Sequence, residues 1–304
     1  MSYNYVLTLI AKPRLTAVLR DAVAAFVSTV AKCSDIDWLA EGEACDIHFE
    51  LAAKADLPAL RQSTQRLFEE TDIDAFVQPA GGRRKRLLVA DMDSTIIEQE
   101  CIDEIAEAAG VGDKVAAITG RAMRGELDFE AALVERVNLI RGFPLTGLKA
   151  ILDRRITLTP GATELTATMR ANGGRCVLVS GGFTFFTSAI AERAGFDASF
   201  GNTLKMTDGC IDGVEPPILG RDYKLEVLRR EAQTMGIDMS ETMAVGDGAN
   251  DLAMIGAAGL GVAFRAKAIV AKAADARITA GDLTSLLFIQ GYRRSEFGKA
   301  ALYN

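Results

Sequence analysis

The segment "VADMDSTIIEQE" (89–100) places Asp91 and Asp93 two residues apart, directly after the apolar run Leu87-Leu88-Val89-Ala90. Two carboxylates at the mouth of a buried strand repel each other and lose solvation, so a cation or a shared proton must offset the cost. Two other segments offer the same kind of chemistry. "GDGAND" (246–251) supplies Asp247 and Asp251, with Asn250 between them. "SGG" (180–182) supplies a hydroxyl and two glycines, whose bare backbone lets N–H groups approach a ligand closely. Lys224, early in a predicted helix, adds positive charge. Four carboxylates without a histidine or cysteine partner suit a hard, oxygen-seeking cation, and magnesium is the natural one. Magnesium usually works beside phosphate, for which Ser180, Lys224 and glycine-rich turns at helix starts are common partners. The set reads as a phosphoryl-transfer site. Taken singly, DxDST also describes a cap or turn, and GDGAND a calcium-loop fragment. Their order, each at the end of a predicted strand, makes the assignment.

Composition removes the main alternatives. The chain has a single histidine, His48. In "ACDIHFEL" the apolar Cys45, Ile47, Phe49 and Leu51 alternate with Asp46, His48 and Glu50, which reads as a half-buried strand with His48 on its outer face. Ser-His-Asp, Cys-His and His-zinc arrangements lose their histidine. A net charge of −7 over 304 residues argues against nucleic-acid and anionic-membrane partners. Five cysteines, an odd number without CxxC spacing, read as reduced thiols of a cytoplasmic protein. The N-terminus lacks the basic region of a signal peptide. The longest uncharged run (176–191) is broken by Gly181-Gly182, so no membrane span is expected.

These residues need elements to hold them. A buried strand ends at Asp91, and helical segments follow at 100–109, 112–123 and 128–140, in a region reaching about 159. After Pro160-Gly161 the pattern becomes helix 162–171, strand 176–180, helix 184–194, a hairpin at Asp208-Gly209, helix 222–235 and strand 242–246. Such alternation predicts an α/β fold, a doubly wound and mostly parallel sheet with its ligands at the carboxyl ends of the strands. The insert at about 100–159 would cover that edge as a helical cap. Residues 1–80 read as a separate α+β unit. Strands fall at 5–11, 35–39 and 45–51, with a last one through Ile73, Ala75 and Val77. One helix carries Leu15, Val18, Leu19, Ala22 and Phe26, and a second, from Asp56, turns Leu57, Leu60, Leu67 and Phe68 inward. The order βαββαβ is ferredoxin-like. "GGRRKR" (81–86) is either a basic patch or a solvated linker, and in an acidic chain the linker is the better reading. The phosphatase domain then runs over 87–304.

"DMDST", "SGG", Lys224 and "GDGAND" resemble the motifs of the haloacid-dehalogenase superfamily of phosphatases, over about residues 87–290. Within it, "DMDSTIIEQECIDEIA" together with "ITGRAMRGELDFEAALVERVNLIRG" is similar to the phosphoserine phosphatase family. The resemblance implies that Asp91 is a nucleophile forming an aspartyl-phosphate, and that Asp93 protonates the departing serine alkoxide and then activates water. It implies magnesium held by Asp91, Asp247 and the backbone carbonyl of Asp93, with Asp251 behind them holding metal waters or orienting Lys224. Ser180, Gly181, Lys224 and Asn250 would surround the phosphate. Glu100 would meet the substrate ammonium and Arg136 its carboxylate, between apolar walls at Met123 and Phe129. The implied substrate is phosphoserine, in the last step of serine synthesis. Residues 1–80 resemble the ACT family of small-ligand regulatory domains, with ligand sensing or homodimer formation as the implied role. Two other readings stay open: a phosphatase or phosphotransferase for another small phosphomonoester, and a non-catalytic serine sensor. The intact aspartates argue against the sensor.

Overall fold

The computed structural model of the chain describes residues 3–11, 32–33, 36–51, 56–68, 71–123, 126–220 and 222–298. The side chains of Tyr3, Lys32, Cys33 and Met123 lie outside the description, as does the helix read through Leu15 and Phe26. The first strands are β1 (Tyr3–Ala11), β2 (Lys32–Cys33), β3 (Asp37–Ala40), β4 (Ala44–Leu51) and β5 (Ile73–Pro79). They form one antiparallel sheet in the order β2-β4-β1-β5, with β3 also paired to β4. β1 lies between β4 and β5, while β3 pairs with its successor β4, as the ferredoxin-like order requires. Helix α1 (Leu57–Phe68) lays Leu57, Leu60 and Phe68 against Tyr5, Leu7, Leu9 and Ile47. Leu67, expected to point inward, is 49% exposed. The buried stripe instead runs 57, 60, 64, 68 at helical spacing, and Thr64 takes the place by returning its hydroxyl to the Leu60 carbonyl at 2.9 Å.

The other face of this sheet is not the outer face that the alternation in β4 suggested. Ile10, Ala44 and Phe76 join the hydrophobic core of the following domain, and Asp46 is buried. Asp46 accepts hydrogen bonds from Thr8 Oγ1 at 2.7 Å and from Arg83 Nη1 at 2.6 Å. Arg83 also donates to the carbonyls of Phe288 and Ile289. The basic segment 81–86 is therefore not a wholly solvated linker, because its Arg83 pins the sheet to the C-terminal part of the chain. Asp74, also buried, reaches across the same boundary. Its carboxylate accepts from the backbone N–H groups of Thr279 and Gly281 at 2.8 Å each, from Ala280 at 3.1 Å, and from the Thr279 hydroxyl at 2.8 Å.

The second sheet is six parallel strands in the order β13-β12-β11-β6-β7-β8: β6 (Leu87–Ala90), β7 (Arg175–Phe183), β8 (Ala198–Asn202), β11 (Thr242–Gly246), β12 (Leu260–Phe264) and β13 (Ala276–Ile278). Helices cover both faces, which is why β6 is an unbroken apolar run. Leu88 and Ala90 face one core cluster while Leu87 and Val89 face the other. The predicted hairpin is β9 (Leu204–Thr207) with β10 (Cys210–Val214), closed by Asp208 and Gly209 at positive φ.

The cap contains the three expected helices, α2 (Cys101–Ala108), α3 (Gly112–Met123) and α4 (Phe129–Leu139), and a fourth, α5 (Leu145–Arg154). It joins the core through two antiparallel crossings. Glu98 N donates to Thr157 O at 3.1 Å and Thr159 N to Ile96 O at 2.9 Å. The β9–β10 hairpin holds its far side, with Ile211 N donating to Phe143 O and Leu145 N to Gly209 O, both at 2.9 Å. Among the described residues no helix is long and apolar enough to cross a membrane.

Asp74→Ala removes the acceptor of three backbone N–H groups in the loop 279–281, where Gly281 is buried and Thr279 is exposed. Urea unfolding of the full chain should show a loss of about 1–3 kcal/mol, the order expected when a buried donor is left unpaired. An unchanged midpoint would mean that this contact does not hold the two sheets together.

Candidate active site

Strands β11, β6 and β7 are neighbours and parallel, so their carboxyl ends open on one edge. That brings Asp91, Ser180 and Asp247 together from three distant parts of the chain. After β6 the segment Met92–Ile96 forms one wide turn, closed by Ile97 N donating to Met92 O at 3.0 Å. Ser94 sits at φ 55, a left-handed conformation uncommon for a residue with a β-carbon. Its N–H donates to Gln99 O at 3.1 Å and its hydroxyl to Glu100 Oε1 at 2.7 Å. The turn thus returns Glu100 to the edge that Asp91 left. Asp93 is held at both oxygens. Cys101 N donates to Oδ1 and Ser180 Oγ to Oδ2, each at 2.8 Å. Ser180 Oγ in turn accepts from Gly182 N at 2.8 Å. A β-carbon on Gly182 would stand 3.1 Å from Asp93 Oδ2 and 3.0 Å from Ser180 Oγ, so both oxygens would have to give by a few tenths of an ångström.

Lys224 lies beneath the edge, with its ammonium 2.6 Å from Asp91 Oδ1 and 2.6 Å from Asp251 Oδ1. Asp251 is fully buried, and its other oxygen accepts from Gly248 N at 2.9 Å. Burial alone would push the lysine toward neutrality, but the two carboxylates outweigh it and hold the ammonium above its ordinary range. Burial and the neighbouring Asp251 push Asp91 well up against the pull of Lys224. Asp247 is raised too, by burial and then by Asp251. Asp91, Asp247 and Asp251 each bring an oxygen within 4.8 Å of the others. One lysine therefore faces three carboxylates, and the excess negative charge, offered entirely by oxygens, fits a hard divalent cation. Both oxygens of Asp251 are already engaged by Lys224 and Gly248, so Asp91 and Asp247 are the side chains free to hold such an ion.

A cavity of about 370 Å³ opens above the edge and reaches the cap. Asp91, Asp93, Ser180, Gly181, Asp247 and Asn250 line its floor, and Glu100, Phe129 and Arg136 its roof. Phe129 lies directly on the SGG turn, since a β-carbon on Gly181 would come within 2.6 Å of its ring. Burial and the charge of Asp93 push the Glu100 carboxyl up to about 7, against the hydrogen bond from Ser94. Arg136 is lowered by burial, against the nearby carboxylates of Asp103 and Glu100. Lys224 lines a small recess beside the floor with Ser180, Gly181 and Asn250. Met123 ends α3, and its side chain is outside the described residues.

Three further residues take part without a sequence signal of their own. Asn202, at the end of β8, donates from Nδ2 to Gly181 O at 2.8 Å and accepts from Leu219 N at 2.7 Å, which holds the SGG turn. Asp103 and Lys267 also line the cavity.

The profile of the family described as haloacid dehalogenase-like hydrolase matches residues 88–256. The phosphoserine phosphatase of Archaeoglobus fulgidus is 43% identical over 234 residues, covering 76% of this chain and 68% of its own length. That of Streptomyces coelicolor is 44% identical over 227 residues, covering 74% of this chain and 55% of its own length. Among solved structures, a HAD family hydrolase of Salmonella enterica subsp. enterica serovar Typhi superposes with a TM-score of 0.84 at 28% identity, covering 94% of this chain and 98% of that one. A phospho-aspartyl intermediate analogue of phosphoserine phosphatase superposes with a TM-score of 0.63 at 41% identity, covering 67% of this chain and 98% of that one. The match spans more than half of the sequence, includes all three strand ends that build the acidic edge, and extends to the fold of nearly the whole chain. On these grounds the chain belongs to the haloacid dehalogenase-like hydrolase family.

Proposed function

We propose that the chain is a magnesium-dependent phosphoserine phosphatase, which hydrolyses O-phospho-L-serine to serine and phosphate. The observation that carries this reading is the cavity itself. It joins a carboxylate edge suited to phosphoryl transfer with one carboxyl and one guanidinium group on the cap, Glu100 and Arg136, whose charges suit the ammonium and carboxylate of an amino acid. Relatives named phosphoserine phosphatase at 43% and 44% identity support it.

In the first step a carboxylate oxygen of Asp91 attacks phosphorus. The new O–P bond replaces the bond to the serine oxygen, and Asp93 gives its proton to that leaving oxygen. In the second step water attacks phosphorus, its proton goes to Asp93, and the bond to Asp91 breaks, so both aspartates return to their starting states. The hydrogen bonds from Cys101 and Ser180 keep the Asp93 carboxyl aimed at this position. Ser180, the Gly181 N–H, Lys224 and Asn250 are suited to hold the phosphoryl oxygens, and fixed donors of this kind stabilise charge in the transition state. Asp91, Asp247 and the Asp93 carbonyl would hold Mg2+, which when bound supplies positive charge to the phosphoryl oxygens and relieves the repulsion within the acidic edge. Asp251 serves by anchoring Lys224. On the cap, Glu100 takes the ammonium and Arg136 the carboxylate, with Phe129 as an apolar wall.

The free thiols of Cys45, Cys101, Cys176 and Cys210 agree with a cytoplasmic location. Ligand sensing or homodimer formation remains the role we assign to the N-terminal sheet. One of its faces is committed to the catalytic domain, so either role would use its remaining edges.

Turnover of phosphoserine by the purified full chain with magnesium is the direct test. Asp91→Asn keeps the shape and removes the attacking charge, so turnover and any acid-labile phosphoenzyme should both vanish. Near-normal activity in that variant would sink the mechanism.

Selectivity is tested at Arg136. Arg136→Ala leaves the substrate carboxylate without its partner, a loss of about 2–5 kcal/mol for a truncated buried pair. At about 1.4 kcal/mol per tenfold, kcat/KM for phosphoserine should fall roughly 30- to several-thousand-fold. Phosphoethanolamine, which lacks the carboxylate, should lose much less. Equal losses on both substrates would remove Arg136 from this role.

Glu100 sets a pH dependence. Its carboxyl lies at about 7 in the folded protein, above the ordinary 4.5, so it is protonated below that pH and ionised above it. Pairing with an ammonium needs the ionised form. The kcat/KM for phosphoserine should therefore rise with pH through about 7, and Glu100→Gln should flatten that limb. Phosphoglycolate, which has no ammonium, should lack the limb in the unmodified enzyme. A limb at the same pH with both substrates would assign it to another group.

A further inference from the structure

Two lysines stand near the acidic edge, and their situations differ. Lys224 is buried and bound to two of the protein's own carboxylates at 2.6 Å each. Lys267 is exposed, lines the large cavity with Asp91, Asp93 and Asp247, and forms no ion pair among the described residues.

The backbone fixes where Lys267 stands. β12 ends at Phe264, and Arg265 then takes a left-handed φ of 45, with its N–H donating to Ile278 O at 2.8 Å. That conformation strains a residue with a β-carbon, and such strain persists only where surrounding contacts impose it. Two residues later Lys267 N donates to the carbonyl of Asp247 at 3.1 Å. Lys267 is thus tied to the residue that carries one of the two open carboxylates.

The charges around the cavity make this position matter. Its lining holds the carboxylates Asp91, Asp93, Glu100, Asp103 and Asp247 against two cations, Arg136 and Lys267. Arg136 stands on the cap beside Asp103 and Glu100. A phosphate monoester near neutral pH carries a charge of roughly −1.5 to −2. Its phosphoryl end approaches a floor that repels it, and Lys267, whose charge already pulls against the upward push on Asp247 without pairing closely with it, is the exposed cation on that side.

We propose that Lys267 is a positioning residue for the phosphoryl end of the substrate, which draws the anion onto the acidic edge and, by the same charge, moderates the affinity of that edge for a divalent cation. This rests on the phosphomonoester reading above and extends it to a residue outside its motifs.

The two effects have opposite signs, which separates them from a loss of structure. Lys267→Gln and Lys267→Arg would be made in the full chain. Calorimetry would follow inorganic phosphate binding at saturating magnesium, and magnesium binding alone. In Lys267→Gln, phosphate should bind about three- to tenfold more weakly and magnesium about two- to fivefold more tightly, as expected for removal of one cation from a focused field. Lys267→Arg should restore both values. For phosphoserine the loss should fall mainly in KM, with a flatter dependence on ionic strength. Weaker binding of both ions would reveal a disturbed loop, and unchanged binding of both would place Lys267 out of reach. Either result overturns the proposal. Neither titration uses phosphoserine, so failure of the unmodified enzyme to turn over that substrate would count against the substrate assignment alone.

Discussion

Negative charge crowded onto one sheet edge is the constraint on which the rest of the molecule depends. Asp91, Asp247 and Asp251 approach within 4.8 Å, and Lys224 alone among the described lysines is bonded between two of them. In a buried site such a group would protonate or spring apart unless the backbone held it and donors faced it. Three adjacent parallel strands do the holding. Met92 N, Gly248 N and Cys101 N donate to the carboxylates of Asp91, Asp251 and Asp93. A shortage of positive charge remains on the cavity side. That shortage suits the edge to a cation, and to a phosphoryl group accompanied by one.

Chemistry and recognition are assigned to different parts of the fold. In the proposed mechanism the reacting carboxylates stand at the ends of core strands, where flanking strands and helices fix them. Glu100, Phe129 and Arg136 belong to the cap, which joins the core where its two connecting segments pair at Ile97 and Leu158, is held by Arg193 at Leu152 and Asp153, and is braced by the β9–β10 hairpin. Phe129 on Gly181 is where the two parts meet over the site. A residue larger than glycine there would lift the aromatic ring off the turn that presents Ser180.

The N-terminal sheet is a further layer of the same molecule rather than a unit on a tether. One face carries its own helix, and the other shares a core with the catalytic domain through Ile10, Ala44 and Phe76. Beside exposed ion pairs such as Arg293–Asp37, two polar contacts across this boundary are those of internal ions. Asp74 fills a pocket of backbone N–H groups, and Arg83 is paired with buried Asp46. Each group lacks a solvent shell and has protein donors or acceptors in its place.

Periodicity and local motifs were enough to read most elements of this chain. The apolar run before Asp91, the glycines around Ser180 and the turn at Asp208-Gly209 are local signals, and their physical causes lie within a few residues. Clustering of Asp91, Ser180 and Asp247 also followed, because parallel strands present their carboxyl ends together. Period-two alternation in "ACDIHFEL" separates two faces correctly but does not say what covers each one, so Asp46 read as an outer residue although a distant arginine buries it. The same holds for Leu67, where only the packed helix decided which of two neighbouring stripes faces inward. Asn202, Lys267 and the acceptor role of Asp74 had no local signal at all. Their partners are Gly181, Asp247 and the loop 279–281, and contacts over such separations depend on how the sheets stack and which strands are neighbours. Residue types and spacing determined the chemistry this chain can offer. Tertiary structure decided which charges are neutralised and which remain open, because burial and pairing belong to the assembled surroundings rather than to the residue.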